Sequence, residues 1–132
     1  MSGERKGARH GRGFTLIELM VVMAVLATLL TIAIPRYMDG VTRSREAALK
    51  ETLRATREAI DKYSADTGRY PESLDDLVTK RYLRKPPVDP ITDDTTTWIV
   101  IPPPQNSLPG KVSDLRSGAT GQALDGTEYG EW

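Results

Sequence analysis

The sequence predicts an α+β chain: a long N-terminal helix whose first half spans a membrane and whose second half packs on a small antiparallel sheet. Three observations carry that prediction. An unbroken apolar run extends from Phe14 to Ile34, an apolar stripe at helical spacing runs through Leu49, Leu53, Ile60 and Tyr63, and a compact β-prone run at Trp98 to Ile101 is stopped by three prolines. One helix laid on a short sheet buries one face of each, which makes it a stable two-layer solution. A chain of 132 residues has room for one modest domain beside the apolar run, so large multidomain enzymes are excluded.

The apolar run is about 21 residues long and would extend roughly 30 Å as a helix, the thickness of a hydrocarbon core. A buried core helix would need a domain able to surround it, and the polar remainder of the chain cannot supply one. A cleaved secretory signal is the other alternative. The run is longer than a typical h-region, however, and AIPRYMDG at its end offers no A-x-A-like cleavage site. Before Phe14 stand Arg5, Lys6, Arg9 and Arg12 against Glu4 alone, which places this end in the cytoplasm and the residues after Pro35 on the far side. Glu18 lies only four places into the run. A charge deep in the bilayer costs at least about 2.5 to 3.5 kcal/mol, so a compensating partner is expected.

Beyond the membrane the helix continues towards Thr67, with Thr56 filling the gap in the apolar stripe and Gly68 as its stop. Glu46 with Lys50, Glu51 with Arg54 and Glu58 with Lys62 lie at helical neighbour distances and are expected on the solvated side. Tyr70 to Leu83 predicts a short helix begun by Pro71, with Leu74, Leu77 and Val78 inward. After the turn-rich PPVDPITDD and the first strand, a second strand is expected near Val112 to Arg116. The glycine-rich tail carries Leu115, Leu124, Tyr129 and Trp132, large side chains expected to pin an ordered loop.

Several function classes lose their chemistry at this stage. There is no cysteine for a disulfide, a thiolate nucleophile or a metal, and the single His10 sits in the basic leader. No GxxxxGK[ST] loop appears, and HExxH cannot exist with one histidine. Asp75 and Asp76 are adjacent and point in different directions on a helix, so they serve a helix start or solvent rather than paired-carboxylate catalysis. The formal charge is zero overall, which leaves about −3 from Phe14 onward and little attraction for nucleic acid.

The stretch RGFTLIELMVVMAVLATLLTIAIP resembles the class III signal of type IV pilins and type II secretion pseudopilins. Gly13 stands at the last leader position, Phe14 at the first mature one, Glu18 at the fifth and Pro35 at the twenty-second. TGRYPESLDDL further resembles the major pseudopilin family, where a helix ending in a Gly-x-Tyr-Pro turn leads to a short leucine-bearing segment. The resemblance implies that a prepilin peptidase cuts after Gly13 and methylates the Phe14 amine. It implies residues 1–13 as a cytoplasmic leader, 14–35 as the membrane and filament-core helix, and 36–132 as a periplasmic head. The freed Phe14 amine of a neighbouring subunit is then the natural partner for Glu18, which makes Glu18 an assembly residue. Pro35 removes one helical hydrogen bond and predicts a kink or a locally melted stretch, or else the end of the membrane span.

The function implied is a structural subunit, not an enzyme, that polymerises into a helical type II secretion pseudopilus and supports protein export across the outer membrane. Its implied partners are further copies, minor pseudopilins and an inner-membrane assembly platform. A type IV pilin for adhesion or twitching and a signal-anchored periplasmic binding module that does not polymerise are the alternatives. In the major pseudopilins a C-terminal loop holds calcium, which points here to Ser117, Thr120, Asp125 and Asp114. Thr120 stands where the family has an aspartate, and Ca²⁺ prefers several hard, anionic oxygens. A loop held by aromatic packing and hydrogen bonds alone is the other possibility.

Overall fold

The computed structural model describes residues 13–132 together with Gly3 and Gly7. The leader residues Glu4, Arg5, Lys6, Arg9, His10 and Arg12 lie outside the described residues. Its elements are α1 (Leu16–Thr67), α2 (Leu74–Thr79), β1 (Ile99–Ile101), β2 (Asp114–Arg116) and a 3-10 turn at Tyr129–Glu131. The chain divides into two units, residues 1–38 and 39–132.

In the first unit the described residues from Gly13 onward are exposed. Helix α1 contains a stretch long and apolar enough to cross a membrane. Its polar side chains are reconciled with that setting locally. Thr28 Oγ1 donates to the Ala24 carbonyl at 2.9 Å and Thr31 Oγ1 to the Ala27 carbonyl at 2.8 Å, so neither hydroxyl needs water. The melted stretch expected at Pro35 is not there, because α1 runs through it without a break. Proline costs the helix one hydrogen bond, to the carbonyl four residues back, and the bonds of the flanking turns carry it past.

The second unit is built on the other half of α1. Leu49, Leu53, Thr56, Ala59, Ile60 and Tyr63 are buried on one face. The alternation of four- and three-residue steps keeps that face in line over four turns. Thr56, a polar residue in this stripe, returns its hydroxyl to the Thr52 carbonyl at 2.8 Å. Leu77, Trp98, Val112, Leu115, Ala119, Ala123 and Tyr129 complete the core. Fully burying one such Leu, Val or aromatic side chain contributes about 1.5 to 3 kcal/mol, the main favourable term in a head with no disulfide.

The sheet is a single antiparallel pair, β1 with β2, in the register Ile99 to Arg116, Val100 to Leu115 and Ile101 to Asp114. Both strands are shorter than the runs that predict them. Helix α1 stops at Gly68, whose φ of 72° is the left-handed conformation that closes a helix end. The following helix begins at Leu74, with Ser73 at its N-cap, rather than at Pro71. Pro71 is instead fully buried, and its carbonyl accepts from the amides of Lys111 and Val112 at 3.1 and 3.0 Å. Leu77 of α2 is buried, whereas Leu74 and Val78 are half-buried.

Of the expected surface pairs, Glu51 with Arg54 forms and the other two do not. Arg54 sits between Glu51 and Glu58, at 2.5 Å from each, so Glu58 closes on Arg54 rather than Lys62. All three are exposed, where water and salt screen such pairs and leave them little net effect on stability. Glu46 and Lys50 do not pair with each other, since both are taken up by the C-terminal loop.

Candidate functional site

The start of α1 carries the first candidate. Thr15 is the last residue before the helix, and its carbonyl accepts the Leu19 amide at 3.1 Å. Its hydroxyl accepts the Glu18 amide at 3.1 Å, and Glu18 Oε2 accepts the Thr15 amide at 3.4 Å. This reciprocal pair is a capping box: two amides that a helix start would otherwise leave orphaned are satisfied by each other's side chains. A carboxylate in the first turn also faces the positive end of the helix dipole. Glu18 is thus anchored within its own chain, a role the sequence reading did not assign, although T-x-x-E before an apolar run is its signature.

Phe14, one residue earlier, is 83 % exposed. A Cβ on Gly13 would meet nothing within 4 Å. The fold therefore makes no demand for glycine at that position, and any such demand comes from outside the chain.

The C-terminal loop carries the second candidate, the four residues expected around calcium. The structure sends three of them to different partners. Asp114 Oδ1 accepts from Arg57 Nε at 2.8 Å and from the Leu115 amide at 2.7 Å. Ser117 is buried, and its hydroxyl donates to Asp89 Oδ2 at 2.5 Å while accepting the Ala119 amide at 3.1 Å. Asp125 Oδ1 accepts the hydroxyl and amide of Thr127 at 2.6 and 3.0 Å. The Thr127 hydroxyl and amide, with nearby Lys50, hold the Asp125 carboxyl below the usual carboxylate range. Thr120 is exposed. Among the described residues no three carboxylate or imidazole groups gather to hold a metal ion. The donor set does not fit calcium, which needs six to eight converging oxygens.

What does fasten this loop was missed from sequence. Glu46 Oε1 accepts the Leu124 amide at 2.9 Å and the Tyr129 hydroxyl at 3.0 Å. Burial of the Tyr129 ring, then this bond to Glu46, raises its phenol pKa. Lys50 Nζ stands 4.5 Å above the Trp132 ring, and Trp132 packs edge-on against Tyr129 with centroids 5.4 Å apart. Arg57 Nη2 donates to the Leu115 carbonyl at 3.0 Å and to the Trp132 backbone oxygen at 2.6 Å. Tyr129, Leu115 and Trp132 pin the loop as expected, but the Leu124 side chain is half exposed and contributes through its amide alone.

Asp89, at 0 % exposure, ties the preceding turn into the same region. One oxygen receives Ser117 and the other the Ile91 amide at 2.8 Å. Each oxygen of this buried carboxylate therefore has a donor, as a polar group out of water requires.

The known proteins bear on both ends of the chain. Residues 8–34 match the family described as the prokaryotic N-terminal methylation motif. The type II secretion system core protein G of Klebsiella michiganensis is 28 % identical over 92 % of this chain and 92 % of its own length. The core protein G of Pseudomonas aeruginosa is 34 % identical over 62 % of this chain and 69 % of its own. The type IV major pilin PilA of Myxococcus xanthus is 36 % identical over 52 % of this chain but only 31 % of its own length. No solved structure matches the chain significantly. An exposed apolar stem begun by a capped glutamate, a small α+β head, and likeness over nearly the whole length converge, and the chain belongs to the family of type II secretion system core protein G.

Proposed function

We propose that this chain is a pseudopilin that polymerises into the type II secretion pseudopilus and supports protein export across the outer membrane. It acts as a structural subunit rather than a catalyst. In this reading, residues 14–35 lie in the inner membrane before assembly and form the fibre core afterwards, and residues 36–132 form the periplasmic head. A prepilin peptidase removes residues 1–13 and methylates the Phe14 amine. Minor pseudopilins and an inner-membrane platform are the further partners.

The observation that carries the reading is the exposed stem whose one carboxylate, Glu18, sits at the capped helix start beside exposed Phe14. A neighbouring subunit's freed amine would neutralise the acid that the membrane disfavours. Gly13, unconstrained by the fold, suits a site read by a protease.

The test uses Glu18→Ala and Glu18→Gln in cells with an active secretion system. Glutamine retains an acceptor for the Thr15 amide, so the capping box survives while the charge is lost. Both variants are expected to lose the leader, as read by intact mass of the membrane form, and to fail in forming sheared or cross-linked filaments. Filaments from Glu18→Gln at wild-type yield would overturn the charge pairing. Retention of Met1 to Gly13 by the wild-type membrane form would overturn the processing step. A non-polymerising anchor would show no filament in any form. The likeness to a type IV pilin covers about half of the chain, which leaves the pilus reading with the smaller support.

A further inference from the structure

We propose that this chain orders its C-terminal loop without calcium, and that the Arg57 guanidinium serves as the loop's cation. Arg57 gathers three hard oxygens from two separate stretches: the Asp114 carboxylate at 2.8 Å, the Leu115 carbonyl at 3.0 Å and the Trp132 backbone oxygen at 2.6 Å. One side-chain carboxylate and two backbone oxygens around a positive centre are the kind of donors a bound calcium would draw together. A planar guanidinium with five N–H groups can address them simultaneously from a fixed position on a helix.

The rest of the clamp lies on the same side of α1. Glu46, Lys50 and Arg57 are separated by four and seven residues, so they line one seam beside the buried stripe. Glu46 takes the Leu124 amide and the Tyr129 hydroxyl, and Lys50 covers the Trp132 ring. The loop's other aspartate, Asp125, is engaged by Thr127 and so does not complete a metal shell. The two ends of the loop are thus fastened to the helix by side chains built into it. This inference concerns the head alone and stands whether or not the chain polymerises.

The test is hydrogen exchange and thermal unfolding of the full chain in detergent micelles, in millimolar calcium and in excess EGTA. The wild type is expected to show the same melting temperature in both to within about 1 °C. It should also show the same protection at Leu124. Arg57→Gln and Glu46→Ala, which removes the acceptor of the Leu124 amide, are expected to speed exchange of the loop amides at least tenfold, equally in both buffers. Glu46→Gln retains that acceptor and is the folded control, expected to exchange close to the wild type. Calcium raising the wild-type melting temperature by several degrees would sink the proposal. So would loop amides in Arg57→Gln and Glu46→Ala as protected as in the wild type.

Discussion

Gly118 gives the sharpest quantitative test of the packing that holds the tail. A Cβ built there would stand 1.9 Å from the Thr97 carbonyl oxygen and 3.0 Å from its carbon. Carbon and oxygen ordinarily approach no closer than about 3.3 Å, so Gly118→Ala forces a displacement of roughly 1.4 Å. The obstacle is backbone, immediately before buried Trp98 and β1, and it cannot swing aside like a flexible side chain. Overpacking of this kind costs about 1 to 3 kcal/mol, and a backbone obstacle argues for the upper end. In a head of this size 1 kcal/mol lowers the melting temperature by about 4 to 8 °C, so a drop of at least about 12 °C is expected. Near-ultraviolet circular dichroism of the micelle-bound chain follows it, because Trp98 is buried with its indole N–H on the Pro87 carbonyl at 2.8 Å. Gly130→Ala is the control in the same loop: its Cβ would lie at an ordinary 3.7 Å from the Ser117 carbonyl oxygen. That variant should stay within about 3 °C of the wild type. Equal melting temperatures for the two variants would refute the close-approach reasoning.

Further outcomes follow from other parts of the head and stem. Leu53, 2 % exposed in the helix stripe, should cost about 2 to 5 kcal/mol when replaced by alanine, read as a lower denaturant midpoint; a loss below about 1 kcal/mol would contradict its place in the core. Tyr129 has a raised folded pKa, from burial and then the bond to Glu46. Its contribution is complete below the unfolded value of about 10 and is lost as pH rises through the folded value, so alkaline titration followed by phenolate absorbance should show late ionisation coincident with loop release. Asp94 and Asp125 are lowered, chiefly by the Thr96 amide and the Thr127 hydroxyl respectively. Their stabilisation is present above about pH 4 and is lost as pH falls through the folded values, which acid unfolding monitored by circular dichroism would register. Thr15→Ala should increase fraying at the start of α1 by about 1 kcal/mol without altering charge, visible as faster exchange of the Glu18 amide in micelles.

The stem and the core stripe were legible because each is written in a period. Twenty or so apolar residues and a four-three alternation have few other physical interpretations, and Leu49, Leu53, Thr56, Ile60 and Tyr63 all fall where the spacing puts them. Gly68 was legible for a similar reason, since a helix stop favours the residue without a Cβ. The start of α2 was not: Pro71 is a good first helical residue, but its carbonyl is claimed by the Lys111 and Val112 amides far along the chain. The seam of Glu46, Lys50 and Arg57 was hidden by the same non-locality. Local rules pair Glu46 with Lys50, and only the folded tail reveals that Tyr129 and Trp132 compete for them. The calcium expectation came from a resemblance in the tail and not from a donor count; Asp114, Ser117 and Asp125 went to separate partners within the chain, and Thr120 is exposed. The capping box is a local signal, T-x-x-E before an apolar run, and its Thr15 half follows from the helix start alone, whereas the Glu18 half shows only in the folded chain.

That box changes what assembly has to accomplish. Lipid tails are about as apolar as leucine, so moving a stem from bilayer to fibre core brings little hydrophobic gain. In the proposed fibre, the side chains from Phe14 to Ile34, exposed in the single chain, would be covered much as lipid would cover them. Selectivity must then come from the polar groups, and Glu18 is the one charged residue in the run. If a neighbour's amine relieved the whole insertion cost of about 2.5 to 3.5 kcal/mol, the equilibrium would shift by about two orders of magnitude per subunit, an upper bound for a residue near the membrane edge. A loose carboxylate would forfeit part of that gain in side-chain entropy on pairing. The Thr15 box has already restricted Glu18 at the helix start, with one carboxylate oxygen on the Thr15 amide. Pre-positioning by Thr15 and charge from Glu18 are therefore separable contributions, and a subunit lacking only the threonine hydroxyl should assemble more weakly, whereas one lacking the charge should not assemble.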